Sequence, residues 1–140
     1  MAAITSIVRA QQLLLGRYEE LLRPFGMTFA RYELLQLLSF TRAGELPVGK
    51  IGERLQVHRS SVTNAVDKLA ADGLVERRPH PDDGRASLVA ITPVGRRRAA
   101  AATEALHAED FTIAALAPED REALTAILAR LRLDAGDFIM

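Results

Sequence analysis

The chain has 140 residues, of which 49% are hydrophobic, and this length suits one domain with a single hydrophobic core rather than a multidomain enzyme. It contains no Cys, which excludes disulfide frameworks, thiolate metal sites and thiol-based redox switches. The 18 basic and 18 acidic side chains cancel, but residues 50–98 hold ten basic against six acidic ones and residues 99–140 hold three against eight.

A basic middle and an acidic tail remain compatible with a polyanionic partner, because charges separated by more than about 10 Å are screened at ordinary salt. The longest apolar run is too short to span a bilayer, and the amino terminus lacks the pattern of a secretory signal. We therefore expect a soluble, cytoplasmic protein.

Two helices are predicted in the first part of the chain. Apolar residues recur at spacings of three and four over residues 4–22, which is typical of one helical face. Pro24 ends this helix, because a residue before proline avoids helical angles. Thr28 is the predicted N-cap of a second, more buried helix that extends to about Phe40, and residues 41–45 are predicted as a loop.

A short helix, a turn and a second helix follow. Pro47 suits the first turn of a third helix with apolar positions at helical spacing. Residues 56–58 interrupt it, and the fourth helix is predicted over residues 59–71. Gly73 ends that helix, since glycine readily adopts the left-handed conformation of a helix C-cap.

The apolar period then changes from helical to extended. Residues 74–78 and 88–91 are short extended-looking runs, and the polar stretch 79–85 between them has the composition of an exposed turn. This pattern predicts a two-stranded hairpin with a long polar tip.

Two further helices complete the predicted fold. Thr92-Pro93 supplies an N-cap and a first-turn proline, and no helix breaker occurs before Pro118. A fifth helix of about two dozen residues is therefore expected, longer than the average of about 11 to 12. The sixth helix begins at Pro118 with acidic residues in its first turn and extends to about Leu133.

The fourth helix has the properties of a DNA recognition helix. A helix-turn-helix pair can place its second helix in the major groove. One side of this helix is apolar, and the other carries small, hydrogen-bonding or basic side chains together with Asp67. Asn pairs with adenine, Arg with guanine, and Ser, Thr and Lys with base edges or phosphates. The predicted DNA contacts are Arg59, Ser60, Ser61, Thr63, Asn64 and Lys68.

The hairpin is a candidate wing. Arg85 follows Asp82-Asp83-Gly84 at its tip, and Arg77 and Arg78 lie on the outgoing strand. A guanidinium on a projecting loop can enter the narrow minor groove, and a nearby carboxylate such as that of Asp83 can hold it in the required rotamer. Directly after a recognition-like helix, a wing is the better interpretation than a solvated turn.

These segments together resemble the multiple antibiotic resistance regulator (MarR) family of winged-helix transcription factors over nearly the whole chain. The most specific motif is Asp83-Gly84-Arg85-Ala86-Ser87-Leu88-Val89-Ala90-Ile91-Thr92-Pro93-Val94-Gly95, which resembles the family's wing with its Asp-x-Arg pair. The other matching segments are Pro24–Leu35, Val48–Leu55, Arg59–Thr63 and Leu69–Arg77.

The resemblance implies a mainly α-helical fold with a small β-hairpin, divided into a winged helix-turn-helix lobe (28–92) and a helical dimerisation region (1–22 and 93–140). It implies a bacterial, nucleoid-associated homodimer that binds a pseudopalindromic DNA operator, most simply as a repressor. It also implies that a small aromatic or lipophilic effector, often an aromatic acid, relieves binding. Apolar positions on the first, fifth and sixth helices independently favour a two-fold dimer.

Two kinds of small-molecule site are considered from the residues. Arg17, Tyr18, Arg31 and Tyr32 are candidates for an effector pocket beside the recognition lobe, although aromatic residues at helical spacing are more often part of the core. No cofactor is expected, and no metal site, because the three His residues fall on three different predicted elements. They are His58, His80 and His107.

Two alternative functions remain open. A hydrolytic trio of His58, Ser60 or Ser61, and Asp67 is disfavoured, because consecutive helix positions diverge and no strand-to-helix elbow holds the serine. A dimeric protein-interaction module of the same fold without operator binding is also possible. Salt-dependent DNA binding would discriminate between this module and the regulator.

Overall fold

The computed structural model describes residues 1–82 and 84–137. It is a mainly helical fold with a small antiparallel sheet, which confirms the predicted fold class. The helices are α1 (Ala2–Leu22), α2 (Phe29–Phe40), α3 (Val48–Leu55), α4 (Arg59–Ala71), α5 (Pro93–Ala108) and α6 (Pro118–Asp134). The strands are β1 (Glu45–Pro47), β2 (Val75–Pro79) and β3 (Ser87–Ile91), and Arg23–Phe25 and Asp110–Thr112 form short 3-10 turns.

Local capping signals set most helix boundaries as predicted. The Thr28 hydroxyl accepts the backbone N–H of Arg31 at 3.2 Å, and the Thr92 hydroxyl accepts that of Gly95 at 3.0 Å. These bonds satisfy N–H groups that have no partner within the helix. Gly73, with φ of 75°, follows α4 in the left-handed conformation that glycine adopts without strain.

The predicted hairpin is correct, but it belongs to a sheet of three strands. The strand order is β1-β3-β2, with Leu46 opposite Val89 across β1 and β3. Strand β1 has only three residues and ends at a proline, so the prediction of a loop at 41–45, followed directly by a helix, was wrong there. A run this short carries no period and is a strand only because the free edge of β3 pairs with it.

Helix α5 is shorter than predicted, since it ends at Ala108 rather than near Pro118. The three residues after Glu109 have positive φ angles, and they are Asp110 (51°), Phe111 (51°) and Thr112 (63°). This backbone conformation is uncommon for residues other than glycine. The chain therefore leaves the helix without any of the usual helix-breaking residues.

Contacts from distant side chains hold this segment. The Tyr18 hydroxyl donates to the Phe111 carbonyl at 2.6 Å, across 93 positions of sequence. The guanidinium of Arg121 donates to both carboxylate oxygens of Asp110, at 3.0 and 2.5 Å, and to the carbonyl of Ile113 at 3.2 Å. The bonds from Arg121 are charge-assisted. Together with the Tyr18 bond they stabilise a turn that the apolar spacing of the helix does not predict.

The hydrophobic core lies between the carboxyl end of α1, the helices α2 to α5 and the sheet. Its fully buried large side chains are Leu22, Leu34, Leu35, Leu38, Ile51, Val62, Val66, Leu69, Leu74, Val89 and Leu106. Gly95 lets α5 begin against the sheet, because a Cβ there would stand 2.1 Å from the Leu74 carbonyl oxygen.

Helix α6 and the amino-terminal half of α1 stand apart from this core. Every residue of α6 is at least partly exposed, including Ile127 and Leu131 at 53% and 58%. Ile4 and Val8 of α1 are similarly exposed, at 61% and 46%. No helix within the described residues is long and apolar enough to cross a membrane.

Candidate nucleic-acid interface

Helices α3 and α4 are joined by a tight turn. Gln56 adopts a left-handed conformation (φ 55°), and the N–H of Val57 donates back to the Gly52 carbonyl at 3.1 Å. A Cβ at Gly52 would lie 3.2 Å from the Val57 carbonyl oxygen, so glycine allows this close approach. The turn sets α4 across α3 in the predicted helix-turn-helix arrangement.

His58 is the N-cap of α4, the predicted recognition helix. Its Nδ1 accepts the backbone N–H of Ser60 at 3.1 Å and lies 2.8 Å from the Ser60 hydroxyl. This contact resembles a base beside a nucleophile, but Nδ1 is already occupied by the backbone. Asp67, the third member of the disfavoured hydrolytic trio, is bonded instead to Arg77.

The two sides of α4 differ as the sequence predicts. Val62, Val66 and Leu69 are buried in the core, which leaves the opposite side outward. Thr63 lies half-buried at the flank, and the remaining predicted contacts are all exposed, namely Arg59, Ser60, Ser61, Asn64 and Lys68. The structure therefore brings these side chains together on one accessible surface, although the Ser60 hydroxyl is engaged in the helix cap.

The two strand arginines lie on opposite faces of the sheet, because successive side chains of a strand alternate. Arg77 donates to the Asp67 carboxylate of α4 at 2.5 Å. Arg78 donates to Glu76 at 2.5 Å and to Glu45 at 3.3 Å, and its hydrogen bond to Glu76 raises the pKa of its guanidinium. Only Arg77 is therefore tied to the recognition helix.

The sequence analysis does not predict that Asp67 and Arg77 form a pair. It ties the middle of α4 to strand β2, and its partners are ten positions apart. The sequence shows an acidic residue within a recognition surface that otherwise suits a polyanion, which is the signal that could have suggested an internal partner. The bond joins the wing to α4 at the protein surface.

The tip of the wing carries the exposed Arg85. The backbone N–H of His80 donates to the Ala86 carbonyl at 3.3 Å, and His80 Nδ1 accepts the N–H of Asp82 at 3.1 Å. Asp83 lies outside the described residues, so the predicted Asp-x-Arg pairing stays a prediction.

The four side chains predicted for an effector pocket lie in different surroundings, and their role in ligand binding stays a prediction. Tyr32 is buried, with its hydroxyl 2.6 Å from that of Thr103. Arg31 reaches the Gly26 carbonyl at 3.5 Å. Arg17 lines a small cleft on another side of α1. Of the four, only Tyr18 lines the larger apolar cleft, because helical spacing alone does not show which face meets a neighbour.

This larger cavity, the α1–α2–α6 cleft, has a volume of about 750 Å³ and is walled by apolar side chains of the three helices. The rings of Tyr18 and Phe29 stack in its wall with centroids 5.4 Å apart. Glu19 and Glu33 are the charged residues of the lining, within the described part of the chain. Glu33 is exposed, and partial desolvation of its carboxyl beside these apolar groups raises its pKa. Glu19 accepts the N–H of Phe29 at 3.0 Å.

No group of three or more His, Asp or Glu side chains that could hold a metal ion occurs within residues 1–82 and 84–137. His58 and His80 each use Nδ1 for a local backbone bond. His107 packs its ring 5.7 Å from that of Phe111.

Known proteins share both this arrangement and this sequence. The sequence profile of the MarR family matches residues 25–86. Sco5413, a MarR family transcriptional regulator from Streptomyces coelicolor, has a crystal structure that aligns with a TM-score of 0.92 and 53% identity, covering 100% of this chain and 97% of that one. The uncharacterized HTH-type transcriptional regulator YdgJ of Bacillus subtilis is 32% identical over 110 residues, which are 76% of this chain and 65% of that protein.

A structure with bound DNA is also similar. Sco3205, a MarR family transcriptional regulator from Streptomyces coelicolor crystallised in complex with DNA, aligns with a TM-score of 0.80 and 25% identity, covering 93% of this chain and 83% of that one. The chain spans between 44% and 65% of the length of the first curated relatives it matches. On its agreement with Sco5413 in sequence and fold over almost the full length of both chains, the chain belongs to the MarR family of winged-helix transcriptional regulators, which are not enzymes.

Proposed function

We propose that the chain is a sequence-specific DNA-binding regulator that acts as a homodimeric repressor of a pseudopalindromic operator. The observation that carries this proposal is the exposed hydrogen-bonding surface of α4 beside a wing to which the Asp67–Arg77 bond ties it. An α-helix with such side chains fits the major groove, and a dimer would present two of them to successive half-sites.

The exposed residues of α4 are proposed to contact both the bases and the phosphates of DNA. Asn64 has the donor and acceptor needed for bidentate pairing with adenine, and Arg59 those for guanine. Ser60, Ser61 and Thr63 supply hydroxyls near the amino end of α4, and Lys68 supplies a charge for a phosphate.

The wing is proposed to contact the minor groove and the adjoining backbone. Arg85 at its tip suits the negative potential of a narrow minor groove, with Asp83 as its proposed orienting carboxylate. Arg77 and Arg78 suit phosphates, but each is held by a carboxylate in the unbound protein. These two side chains must exchange or share those partners with DNA.

The proposed dimer uses the helical region outside the winged lobe, residues 1–22 and 93–140. Exposed apolar side chains on α1 and α6 support it, and they include Ile4, Val8, Ile127 and Leu131. Single exposed apolar residues are common on protein surfaces, but here they recur along two helices. A two-fold dimer would bury both apolar faces, because each chain uses the same surface.

A small ligand in the α1–α2–α6 cleft is proposed to relieve DNA binding. The cleft is walled by α1 and α6 on one side and by α2 of the winged lobe on the other. A ligand that fits one lobe position better than another would shift the distance between the two recognition helices. Of the predicted pocket residues, Tyr18 lines this cleft, and a ligand-binding role for Arg17, Arg31 and Tyr32 stays a prediction.

The test is selection of bound duplexes from a random DNA pool, followed by anisotropy titration of the winner and a scrambled control at two salt concentrations. We expect a pseudopalindrome that binds at least about 10³-fold more tightly than the control, with steep salt dependence. If no sequence is enriched and binding does not depend on salt, the chain is instead a protein-interaction module of the same fold.

A further inference from the structure

The turn between α5 and α6, residues 109–117, joins a helix that is packed into the core to one that is not. We propose that this turn, held by Arg121, fixes the angle between the winged lobe and the dimerisation helices, and thereby the spacing of the DNA half-sites. Arg121 is a positioning residue in this proposal and contacts no DNA. The inference rests on the homodimer and the operator proposed above.

Two links connect the winged lobe with the exposed apolar faces of the dimerisation helices. One is α1, which continues without a break from its exposed amino-terminal half to the buried Leu22. The other is the α5–α6 turn. Helix α5 buries Ala99, Ala102 and Leu106 in the core, whereas no residue of α6 is buried. Because α6 is held weakly by packing within its own chain, the conformation of the turn decides where it projects.

The backbone of the turn has an uncommon conformation. Asp110, Phe111 and Thr112 have positive φ angles of 51°, 51° and 63°, and none of them is glycine. Left-handed residues other than glycine cost free energy and persist only where the surrounding structure over-determines them. A run of three therefore requires specific restraints.

Arg121, near the start of α6, supplies most of these restraints. Its Nη1 and Nη2 donate to the two carboxylate oxygens of Asp110, at 3.0 and 2.5 Å. Nη2 also donates to the Ile113 carbonyl at 3.2 Å, and Nε donates to the Leu116 carbonyl at 2.9 Å. One planar guanidinium thus joins three points of the turn, and its rigid fork accepts few arrangements of them.

The lobe side of the turn is anchored by aromatic residues. The Tyr18 hydroxyl of α1 donates to the Phe111 carbonyl at 2.6 Å. The Phe111 side chain packs against the hydrophobic core, with its ring 5.7 Å from that of His107 in α5. The turn is therefore attached to α1 and the core on one side and to α6 on the other.

A purely stabilising role fits these contacts less well. The side chains of Arg121 and Asp110 are 29% and 47% exposed, and ion pairs near the surface stabilise a fold only weakly. Directional bonds that hold a strained turn, yet add little to stability, are suited to fixing an angle.

A small change of this angle matters for DNA binding. The proposed dimer joins two copies through α1 and α6, and α4 of each copy lies in the lobe on the other side of the turn. A rotation of about 10° moves a point about 20 Å away by roughly 3.5 Å, close to the rise of one base pair. Half-sites one helical turn apart fit only if the two copies of α4 keep a matching distance.

The distance between the two copies of α4 can be measured without DNA. The chain has no Cys, so Ala71→Cys, at the exposed end of α4, provides one spin-label site in each protomer. Double electron–electron resonance on the DNA-free dimer then gives the distribution of distances between the lobes. We expect one narrow distribution for the chain that is otherwise unaltered.

Two substitutions release the turn from opposite sides. Arg121→Gln removes the guanidinium. Tyr18→Phe removes only the hydroxyl that bonds to the turn, since the ring can still stack on Phe29. Each should broaden the distribution, and Arg121→Gln should do so more, because it removes four hydrogen bonds rather than one.

Arg132→Gln is the matched control on the same helix. Arg132 also bonds to a carboxylate, that of Asp137 at 2.5 Å, but at the opposite end of α6 from the turn. Its substitution should leave the distribution narrow. Sedimentation equilibrium and circular dichroism check that each variant is a folded dimer.

Operators of altered spacing show whether the angle matters for recognition. The selected operator is compared by anisotropy with versions whose half-sites are one base pair closer or farther apart. The unaltered chain should lose at least about tenfold in affinity for either change, and Arg121→Gln about threefold or less, because a freer lobe can follow the altered spacing. Base preference within a half-site should stay the same. A role in stability alone would not change the spacing preference.

The proposal is overturned if Arg121→Gln leaves either the distance distribution or the spacing penalty unchanged. It is also overturned if Arg121→Gln and Tyr18→Phe are both monomeric, because the bonds would then be needed for the interface itself. A chain whose distances broaden in Arg121→Gln but which selects no operator keeps the positioning role and loses the repressor. One that selects an operator, with the same spacing penalty in Arg121→Gln, keeps the regulator and loses the positioning role.

Discussion

The winged lobe and the outward faces of α1 and α6 differ in how far their apolar side chains are buried. In the lobe, α2, α3, α4 and the sheet enclose most of their apolar residues. Leu35 is 0% exposed, and Phe40 at the end of α2 is the main exception at 72%. On α6, Leu131 remains 58% exposed although it recurs at helical spacing with Leu124, Ile127 and Leu128. The comparison teaches that one region is complete within a single chain, whereas the other has an apolar surface that a second chain can cover.

The largest expected effect is a loss of stability, and it tests whether the core of the lobe is tightly packed within one chain. Leu35→Ala should lower the free energy of unfolding by about 3 kcal/mol, because it removes buried contacts and leaves a cavity. Urea unfolding followed by circular dichroism measures it. A loss below about 1 kcal/mol would show that this core is loosely packed, contrary to the comparison.

A charge on α6 tests the other half of the comparison. Leu131→Glu should weaken dimerisation by about 100-fold, because it places an unpaired charge in the proposed interface. Sedimentation equilibrium measures the dimer, and urea unfolding should show an intact lobe. Arg130→Glu is a control on the same helix at an exposed polar position. An unchanged dimer in Leu131→Glu would place the interface elsewhere.

Substitutions at the proposed DNA contacts should change the affinity for DNA without changing dimerisation. Arg85→Ala should weaken binding to all sequences, while Asn64→Ala should relax preference at one base position by about 1 to 3 kcal/mol. Anisotropy titrations against the selected operator and its single-base variants measure both. Equal binding by the two variants and the unaltered chain to every duplex would contradict the proposed roles.

The Asp67–Arg77 bond should affect the preference for the operator over other DNA more than it affects the free energy of unfolding. Asp67→Asn removes a negative charge near DNA, so binding to a scrambled duplex should tighten, by about twofold to fivefold. Operator binding should gain less or weaken, because Arg77 is released from α4. Glu104→Gln is the charge control, at an exposed carboxylate of α5 outside the winged lobe. If the ratio of the two affinities is unchanged in Asp67→Asn, the bond does not position the wing.

The smallest effect concerns the turn between α5 and α6. Hydrogen bonding from Arg121 lowers the pKa of the Asp110 carboxyl, so this group stabilises the fold above its ordinary pKa and loses that contribution as the pH falls through the lowered value. The stability advantage of the unaltered chain over Asp110→Asn should therefore be present at pH 7 and shrink below about pH 4. Urea midpoints at both pH values measure it, with Glu109→Gln as control, and a constant difference would contradict the assignment.

The recognition surface could be predicted because it depends on one helix. Val62, Val66 and Leu69 mark the inward side of α4, so the outward side follows from 3.6 residues per turn. The partner of Asp67 could not be predicted, since it depends on how strand β2 passes the helix. The neighbours of the predicted effector residues could not be predicted for the same reason, since Tyr18 bonds to the Phe111 carbonyl and Tyr32 to the Thr103 hydroxyl.

The sequence by itself determined the caps and ends of most helices, the polar face of α4 and the hairpin of β2 and β3. These features depend on interactions within a few residues, such as the hydroxyl of Thr28 on the N–H of Arg31. Only the tertiary structure decided that residues 45–47 form a strand, that α5 ends at Ala108, and that the cleft carries negative charge. Each of these depends on groups far apart in the chain, whose meeting is set by packing and not by local preference.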